Sequence, residues 1–386
     1  MLEVALAPAG LRDRRAEVVR VLVTVPWGES LGGAEALLQS VLDGARESRH
    51  ELELLFLEPG PWPEQLAREG FRVEVFRSGR LHQIHRWAWT VVRLARCFRA
   101  RRPEVILNWS AKTQLYGSPA AVLAGMADRV LWWQHSIPTG GWLDRAATRL
   151  PAAAIGCCSA AAAAAQKRLH PARRTLLVKA GAAVPDELER EEPPMELSSS
   201  APVVGLVGRL EPWKGQDRLL QAQALLRKRG HELQVAIVGG DAYGFSSEYA
   251  ASLPALVRRL GLEDVVTLTG QVPDAGPYMR QMDILVNASD PEPFGIVLLE
   301  GMARGVAVVA IDSGGPAELI EDGQTGVLAR SGEPDSLADA LEPLLVSPEL
   351  RERLALAGRE RFLRELTDVV MRERFFAALE SVRASS

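Results

Sequence analysis

Short apolar segments rich in valine, leucine and isoleucine alternate with helical segments along most of the chain. Alternation on this scale is typical of a parallel sheet with helices on both faces, so the predicted fold class is α/β. In the first half of the chain the predicted strands are Val19–Val25, Glu51–Leu57, Phe71–Phe76, Val105–Asn108, Arg129–Trp133 and Ala153–Cys158. The helices predicted between them are Ala34–Ala45, Pro63–Glu69, Trp87–Arg101 and Ala120–Gly125.

The alternation lapses once, at Asp186–Pro202, where the chain is first acidic and then rich in proline and serine. This composition predicts an interdomain linker. A second alternating series follows, with predicted strands at Val203–Val207, Leu233–Val238, Val265–Thr269, Ile284–Val286 and Val306–Ala310. Helical segments are then predicted from Asp335 to about Ser386.

A chain of 386 residues is too long for one ordinary hydrophobic core. We therefore predict two Rossmann-like domains, 1–185 and 203–365, joined by the linker 186–202. A C-terminal helix, 366–386, is predicted to complete the first domain. Because open parallel sheets bind ligands at the carboxyl ends of their strands, a ligand is expected in a cleft between the two domains.

The composition argues against several classes of function. The formal net charge of −4 gives no reason to expect a nucleic-acid partner. Cys97, Cys157 and Cys158 show neither a disulfide framework nor metal-ligand spacing, so no metal site is predicted. The N-terminal segment has Glu3 in a short apolar run with no basic region before it, and no run reaches the roughly 18–20 apolar residues of a membrane span. The expected location is therefore cytoplasmic.

Two cations follow the first strand of the second series. Gly208–Ala222 reads GRLEPWKGQDRLLQA, so Arg209 and Lys214 are expected at the carboxyl end of that strand, where Gly215 opens a helix. Two fixed cations at this position suit a pyrophosphate. A loop with two solvated cations explains the same residues, and for this pair alone that explanation is favoured.

Two glutamates stand eight residues apart around a Phe294-Gly295 turn. If a helix starts at Gly295, Glu292 lies just before it and Glu300 lies two turns inside it. A carboxylate can accept hydrogen bonds from two adjacent hydroxyls, as a sugar offers them. The free N–H groups at the helix start suit a phosphate. The alternative for Glu300 is a solvated charge on the helix.

A third motif, Asp312–Ile320, contains Gly314-Gly315, which lets the backbone approach a ligand closely and equally fits an ordinary turn. In order, the series reads GRL-x₃-KG after a strand, E-x₇-E about eighty residues later, and GG-x-x-E-L-I-x-D-G-x-T-G. Over most of Val203–Leu328 it resembles the family 4 glycosyltransferases, which have the GT-B fold of two Rossmann-like domains facing across a cleft.

The resemblance implies a retaining, metal-independent hexosyltransferase that needs no cofactor and takes its sugar from a UDP-, GDP- or ADP-linked donor. It implies that Arg209 and Lys214 bind the donor diphosphate, Glu300 the ribose and Glu292 the transferred sugar. The catalytic residues it implies are Arg209, Lys214, Glu292 and His135. The donor-binding residues it implies are Gly208, Phe294, Gly295, Ile296, Val297, Glu300, Gly32 and Gly33.

In the first half of the chain, Gly32 and Gly33 lie in a segment that resembles the family's N-terminal glycine-rich loop, although a simple strand-to-helix turn explains them equally well. The pattern is not G-x-G-x-x-G, which argues against a dinucleotide-dependent dehydrogenase. His135 follows an apolar strand, and the resemblance implies a position near the reacting carbon. It is not expected to act as a general base. In a same-face mechanism the leaving phosphate takes the acceptor proton, and Arg209 and Lys214 stabilise the transition state.

Arg77–Arg102 contains eight arginines and no acid. As a helix it would turn one stripe inward, and Arg86, Trp89, Arg93 and Arg96 would share another face. The predicted inward stripe is Ile84, Trp87/Ala88, Val91, Ala95 and Phe98. Exposed arginine with tryptophan suits an anionic membrane, with the protein peripheral on its inner face, or a phosphate-bearing acceptor. An ordinary solvated helix is the favoured alternative.

The acceptor is left open as a glycan, a lipid-linked molecule or a small molecule. Four polar residues could line its site or cap the following helix, and capping is favoured; they are Asn108, Ser110, Lys112 and Thr113. A sugar-nucleotide epimerase or a glycan phosphorylase on the same architecture is an alternative function. A catalytically silent sugar-nucleotide-binding protein is another, although the intact set of cations and glutamates argues against decay of the site.

Overall fold

The computed structural model describes residues 3–4, 18–30, 32–48, 50–79, 82–185, 195, 201–241, 244 and 246–384. The chain forms two compact units, one of Met1–Ala180 with Val369–Ser386 and one of Gly181–Asp368. Only three residues of the predicted linker 186–202 are among the described ones, and the predicted domain limits stay predictions. Within the described ranges, no helix is both long and apolar enough to cross a membrane.

The first unit is built on eight parallel strands: β1 Glu3–Val4, β2 Arg20–Val25, β3 Glu51–Phe56, β4 Arg72–Val75, β5 Val105–Asn108, β6 Val130–Gln134, β7 Ala154–Cys157 and β8 Thr175–Leu177. Their order in the sheet is β1-β8-β7-β6-β5-β2-β3-β4. The helices between them are α1 Gly33–Glu47, α2 Pro61–Arg68, α3 Ile84–Arg101, α4 Ala111–Ala124, α5 Trp142–Arg149 and α6 Ala160–Leu169. The chain runs from β2 to β4 and then crosses back to β5, so the carboxyl ends of β2 and β5 form the switch point of this sheet.

The second unit has a six-stranded parallel sheet: β9 Val203–Val207, β10 Gln234–Val238, β11 Val266–Gly270, β12 Ile284–Asn287, β13 Ala307–Ile311 and β14 Val327–Ala329. The order is β11-β10-β9-β12-β13-β14, so its switch point lies between β9 and β12. The helices are α7 Gln216–Lys228, α8 Ser247–Leu260, α9 Gly276–Met279, α10 Ile296–Ala303, α11 Pro316–Leu319, α12 Pro334–Val346 and α13 Pro348–Glu365.

A further helix, α14 Asp368–Arg383, returns the chain to the first unit. The segments that begin and end the second unit lie side by side. The Ala182 N–H donates to the Leu366 carbonyl at 3.2 Å, and the Asp368 N–H donates to the Ala182 carbonyl at 2.8 Å. A Cβ added at Gly181 would lie 2.4 Å from the Thr367 carbonyl oxygen, so this contact requires glycine.

Aromatic side chains join α14 to the core of the first unit. Phe375 is fully buried, with its ring 4.6 Å from that of Trp133 and 6.0 Å from that of Trp109. The two tryptophan rings stack at 5.8 Å. A helix that is distant in sequence therefore supplies part of this core.

Each of the predicted strands is present, with its ends shifted by no more than one residue, so the α/β prediction is confirmed. The sequence did not predict β1, which has two residues, or β8 and β14, which have three each, nor did it predict α5 and α6. The Ala-rich α6 has no apolar stripe against a polar face, because its residues 160–165 are all alanine. Periodicity therefore gave no signal for it.

The predicted helix Ala120–Gly125 is wrong in its start, because α4 begins at Ala111. Ser110 caps it: its hydroxyl accepts the Thr113 N–H at 3.2 Å, and the Thr113 hydroxyl accepts the Ser110 N–H at 2.9 Å. The favoured capping role is thus confirmed for this pair. Asn108 is buried between Thr24 and Gln114 instead. The Lys112 ammonium contacts Glu58 and lies 3.9 Å from the Trp27 ring centre.

The predicted inward stripe of α3 is wrong at its N-terminal end. Ile84 is 73% exposed and Ala88 is also exposed, because the helix begins at Ile84 and its first turn lies beyond the core. The buried side chains of α3 are Thr90, Val91, Leu94, Ala95 and Phe98.

Phe375→Ala should lower the free energy of unfolding of the first unit by about 3–5 kcal/mol, because it leaves a cavity beside the stacked rings of Trp109 and Trp133. Urea denaturation followed by tryptophan fluorescence measures this loss. Val369→Ala, at a position 55% exposed on the same helix, is the matched control and should change stability by less than about 0.5 kcal/mol. Equal stability of the two variants would contradict this account of α14.

Candidate active site

The loop after β9 starts with a glycine that is pressed against the next strand. The Gly208 N–H donates to the Val238 carbonyl at 2.9 Å. A Cβ added at Gly239, whose φ is +140°, would lie 2.1 Å from the Gly208 carbonyl oxygen. The pair Gly239-Gly240 directly after β10 was missed by the sequence analysis. A glycine pair at the end of an apolar strand was the available signal.

Lys214 ends a short 3₁₀ turn, Pro212–Lys214, just before α7. Gly215 follows with φ +74°, and a Cβ there would lie 2.2 Å from the Ala288 carbonyl oxygen in the segment after β12. The Asp290 N–H also donates to the Trp213 carbonyl at 2.9 Å. The two loops at the switch point are thus packed backbone to backbone, and only glycine fits at position 215.

This packing brings together two of the predicted catalytic side chains. The Lys214 ammonium donates to Glu292 Oε2 at 2.9 Å, with 18% and 8% of the two side chains exposed. Asn287 Nδ2 donates to the same oxygen at 3.3 Å, and the Phe294 N–H donates to Glu292 Oε1 at 3.4 Å. The carboxylate therefore holds the lysine in one position at the end of β9.

The Glu292 carboxyl is a charged group in a buried place. Burial raises its pKa, but the charge and hydrogen bond of Lys214, with hydrogen bonds from Ser289 and Asn287, outweigh burial and leave the pKa below its ordinary value. Glu292 is therefore ionised at neutral pH.

Arg209 is linked to this pair through two residues that the sequence analysis did not single out. Its guanidinium lies 3.2 Å from Glu211 Oε1, and the Trp213 indole N–H donates to the other oxygen of Glu211. The Lys214 ammonium lies 3.9 Å from the Trp213 ring centre. Two cations and two carboxylates thus share one cluster, and their formal charges balance.

The third predicted motif lies beside Glu292. The Glu292 N–H donates to the Ser313 carbonyl at 3.2 Å, and the Gly315 N–H donates to the Glu292 carbonyl at 2.8 Å. A Cβ at Gly315 would lie 2.3 Å from the Phe294 Cα, and Gly314 has φ +86°. Among the described residues, this glycine pair allows its loop to lie close to the loop that contains Phe294.

The helix predicted at Gly295 is present as α10, with Gly295 as its N-cap at φ +101°. The N–H groups of Ile296 and Val297 lie in its first turn, where no intrahelical acceptor is available. Glu300 is the fifth residue of the helix, one turn nearer its start than predicted. No contact among the described residues joins Glu300 to Lys214.

In the first unit, His135 directly follows β6, as predicted. Its ring meets that of Trp109 at 4.7 Å, edge to face, and its Nε2 is buried without a hydrogen-bond partner among the described residues. Burial lowers the pKa of His135 to about 4, although a hydrogen bond with the Trp109 backbone raises it. The imidazole is therefore neutral at physiological pH and a weak base.

Gly32 is the N-cap of α1, which begins at Gly33. The φ of Gly32 is −157°, an extended conformation open to any residue, and an added Cβ would meet only the flexible end of Glu35 at 3.0 Å. The backbone alone therefore does not demand glycine at position 32, and the predicted donor contact of Gly32 and Gly33 stays a prediction.

Residues 189–361 match the family model described as glycosyl transferases group 1. Three of the similar proteins are curated glycosyltransferases. The chain is 35% identical over 164 residues to a D-inositol 3-phosphate glycosyltransferase of Kribbella flavida, covering 41% of this chain and 38% of the relative. It is 34% identical over 180 residues to the lipopolysaccharide core biosynthesis mannosyltransferase LpcC of Rhizobium leguminosarum bv. viciae, covering 47% and 50%. It is 38% identical over 156 residues to an alpha-D-kanosaminyltransferase of Streptomyces kanamyceticus, covering 40% and 39%.

Residues 189–361 are a group 1 glycosyltransferase domain. The aligned regions span half or less of the length of these curated relatives. Membership of family 4 in particular stays a prediction.

Solved structures resemble nearly the whole chain. Anabaena Alr3699/HepE in complex with UDP-glucose has a TM-score of 0.78 at 24% identity, with 94% of this chain and 100% of that chain covered. The lipopolysaccharide outer core galactosyltransferase WaaB has a TM-score of 0.72 at 20% identity, with 94% and 99% covered. At these identities the likeness establishes the fold, two Rossmann-like domains of the GT-B type.

Glu300 is partly buried, and its ionisation provides a test of that environment. Burial raises the pKa of Glu300 from 4.5 to about 7, against the charge of Arg304. The folded protein thus binds this proton more tightly than the unfolded chain, so the free energy of unfolding should fall as pH rises from about 4.5 to about 7. Glu300→Gln, which stays neutral, should be more stable than wild type by about 3 kcal/mol at pH 8 and nearly equal to it at pH 4.

Chemical denaturation at the two pH values measures the difference. Glu352→Gln, at an exposed position on α13, is the control and should show no such gap. A Glu300→Gln variant whose advantage is the same at pH 4 and pH 8 would contradict a raised pKa.

Proposed function

We propose that this chain is a retaining, metal-independent glycosyltransferase that moves a hexose-type sugar from a nucleoside-diphosphate sugar to an acceptor. The acceptor would be a glycan, a lipid-linked molecule or a small molecule. The reaction would serve the synthesis of cell-surface polysaccharide, glycolipid or a specialised metabolite. The observation that carries the proposal is the Lys214–Glu292 pair, which lies at the switch point of the second unit within a group 1 glycosyltransferase domain.

In this proposal the donor diphosphate is bound by Arg209 and Lys214. Both cations follow β9 and are fixed by carboxylates, Arg209 by Glu211 and Lys214 by Glu292. Fixed cations stabilise charge that grows on a leaving diphosphate without having to reorganise. The N–H groups at the start of α10 add a positive dipole end beside Glu292.

The remaining roles follow the same assignment. Glu292 contacts the transferred sugar, and Glu300 accepts hydrogen bonds from the ribose hydroxyls. His135, neutral at physiological pH, contributes no cation and no strong base near the reacting carbon. The leaving phosphate then takes the acceptor proton as the new glycosidic bond forms on the same face of the sugar.

Similar proteins suggest where to look for the donor. Alr3699/HepE has been solved with UDP-glucose, and LpcC is named a mannosyltransferase. UDP-glucose is therefore the first donor to test, and GDP- and ADP-linked sugars stay candidates from the sequence motifs. An epimerase or a phosphorylase would use the same fold without transfer to a separate sugar or lipid acceptor, and a silent binding protein would take the donor without turnover.

A panel of UDP-, GDP- and ADP-linked hexoses should raise the melting temperature for the matching donor. In a transfer assay with that donor, Lys214→Ala or Arg209→Ala should lower turnover about 10²–10³-fold, because each variant lacks a side-chain cation that stabilises the charge on the leaving diphosphate. Circular dichroism should show an intact fold in both variants.

Lys228→Ala, at an exposed lysine near the end of α7, is the matched control and should keep wild-type turnover. Near-wild-type turnover in both Lys214→Ala and Arg209→Ala would overturn the diphosphate assignment. Donor binding with no transfer to any acceptor would favour the silent binding protein.

We also propose that the first unit contacts an anionic membrane through an α3–α4 surface, defined as Ile84, Trp89, Val92 and Arg96 of α3 with Val122 and Leu123 of α4. Its apolar members are 40–73% exposed. The two helices are neighbours, since the Arg99 guanidinium contacts the Leu123 carbonyl. Neither helix carries an acidic residue. Exposed apolar side chains among arginines suit insertion at the level of lipid headgroups.

The arginines of α3 divide into two groups. Arg93 pairs with Glu74 at 3.6 Å, and Arg101 pairs with Glu53 and Glu74 at 2.8 and 2.6 Å, so these two serve the protein itself. Arg96 is exposed and has no ion pair among the described residues. The charge available to a membrane is therefore smaller than the sequence count of eight arginines suggests.

Wild-type protein should co-sediment with phosphatidylglycerol vesicles at low salt, and the double variant Trp89→Ser/Val92→Ser should bind roughly tenfold more weakly because it loses inserted apolar area. Leu356→Ser, at a position 58% exposed on α13, should bind as wild type does. Absence of wild-type binding at low salt would rule out the membrane contact, whatever the result for sugar transfer.

A further inference from the structure

A second basic region of the first unit lies outside the candidate active site. Residues 142–179 contain seven lysines and arginines and one acid, Asp144, in a chain of net charge −4. This segment covers α5, β7, α6 and β8. So strong a local excess of cations in an acidic chain suggests an anionic partner.

Three of these cations line one cavity. The cavity has a volume of about 520 Å³ and lies between α5 and the end of α6. Arg145 and Arg149 of α5 and Arg168 of α6 form its charged lining, and His170 and Thr148 add polar atoms. Its lining contains no acidic residue.

These three arginines have no ion pair or side-chain hydrogen bond anywhere in the described ranges of the chain. The one acid of the segment is occupied elsewhere: Asp144 Oδ2 accepts the N–H groups of Thr139 and Gly140 at 2.9 and 3.1 Å. Arg173 shows the contrasting case, since its guanidinium donates to the carbonyls of residues 149, 150 and 152 at 2.8–3.2 Å. Arg173 thus supports the fold, whereas the cavity arginines do not.

The helix dipole explains part of this arrangement. Arg149 and Arg168 stand in the last turns of α5 and α6, where a cation is stabilised by the negative end of the helix. Arg145 is the fourth of the eight residues of α5 and lies outside the last turn, so the dipole does not account for it. A bound anion accounts for all three.

The floor of the cavity is fixed. Thr148 is buried, its hydroxyl donates to the Asp144 carbonyl at 2.6 Å, and it accepts Gln166 Nε2 at 2.8 Å. His170 Nδ1 is buried and has no hydrogen-bond partner among the described residues. A buried polar atom without a partner is uncommon, and a ligand in this cavity would provide one.

The cavity is distant from the carboxyl edge of the sheet. The carbonyl of Arg149, one of the lining residues, accepts from Arg173, which lies just before β8. This side of the cavity is therefore near the amino ends of β7 and β8. His135 follows the carboxyl end of β6. These strands have three to five residues, so they separate the two edges by roughly 10–17 Å.

We propose that this cavity is a binding site for a phosphate group, separate from the donor site and not needed for the sugar transfer proposed above. Guanidinium groups match the geometry of phosphate oxygens and bind them in pairs. A volume of about 520 Å³ accepts a phosphate together with the organic group that carries it. The ligand is a soluble phosphate ester or the headgroup of an anionic phospholipid, and both present the same phosphate.

Calorimetry with inorganic pyrophosphate at low ionic strength tests the site. The full chain carries Arg209→Ala and Lys214→Ala in this experiment, so that the cations of the second unit are removed. Binding should persist in this background and weaken about tenfold on adding Arg145→Ala, and again on adding Arg168→Ala. Arg353→Ala, at an exposed arginine of α13 without an ion pair in the described residues, is the matched control and should leave the affinity unchanged.

Vesicles distinguish the two sources of phosphate. The vesicles contain phosphatidate in phosphatidylcholine. If the Arg145→Ala/Arg168→Ala variant co-sediments with them less than its background does, the ligand is a lipid headgroup. If the variant binds pyrophosphate more weakly but binds the vesicles as its background does, the ligand is a soluble phosphate ester. The site is overturned if neither probe binds, or if both bind equally to the variant and its background. A further variant carries Arg145→Ala and Arg168→Ala but keeps Arg209 and Lys214. Its binding of the nucleotide sugar tests the proposed transfer function separately from the phosphate site.

Discussion

The close contact between the loops that follow β9 and β12 is the constraint on which the candidate site depends. Gly215 lies against the Ala288 carbonyl with no room for a side chain, and the sheet order makes these two strands neighbours. The contact sets Lys214 beside Glu292, although 78 residues separate them in sequence. The glycines at positions 239 and 315 repeat the device, since each allows one loop backbone to touch another. The loops of the site are thus in direct main-chain contact with one another, with no side chain between them at these glycines.

Much of the fold was readable from the sequence because the central strands of its sheets, such as β9, β10, β12 and β13, are buried. Such strands appear as continuous apolar runs, and both Val203–Val207 and Ile284–Asn287 lie within one residue of their predicted bounds. Elements without such an apolar run were not predicted correctly. Strand β8 has only three residues, and six of the ten residues of α6 are alanine. The exposed first turn of α3 was predicted to be core because periodicity alone does not say where a helix leaves the protein.

The candidate site was predictable in its residue types and not in its contacts. Sequence order placed Arg209 and Lys214 at the carboxyl end of a strand, and the family resemblance assigned Glu292 to the same donor site. That Lys214 pairs with Glu292, and that Glu211 and Trp213 link Arg209 to the same cluster, depends on side-chain directions in loops. The neutrality of His135 likewise comes from burial against Trp109, which sequence spacing does not reveal.

The adjacent ends of the second unit, held together at Ala182 and Thr367, bear on how the chain acquires its structure. The ribosome makes all of Gly181–Asp368 before it makes Phe375, which fills the core of the first unit. The second unit contains no segment from outside its own range, so it can fold as it emerges. The core of the first unit, in contrast, is completed around Trp109 and Trp133 only after α14, the last helix of the chain, has been synthesised.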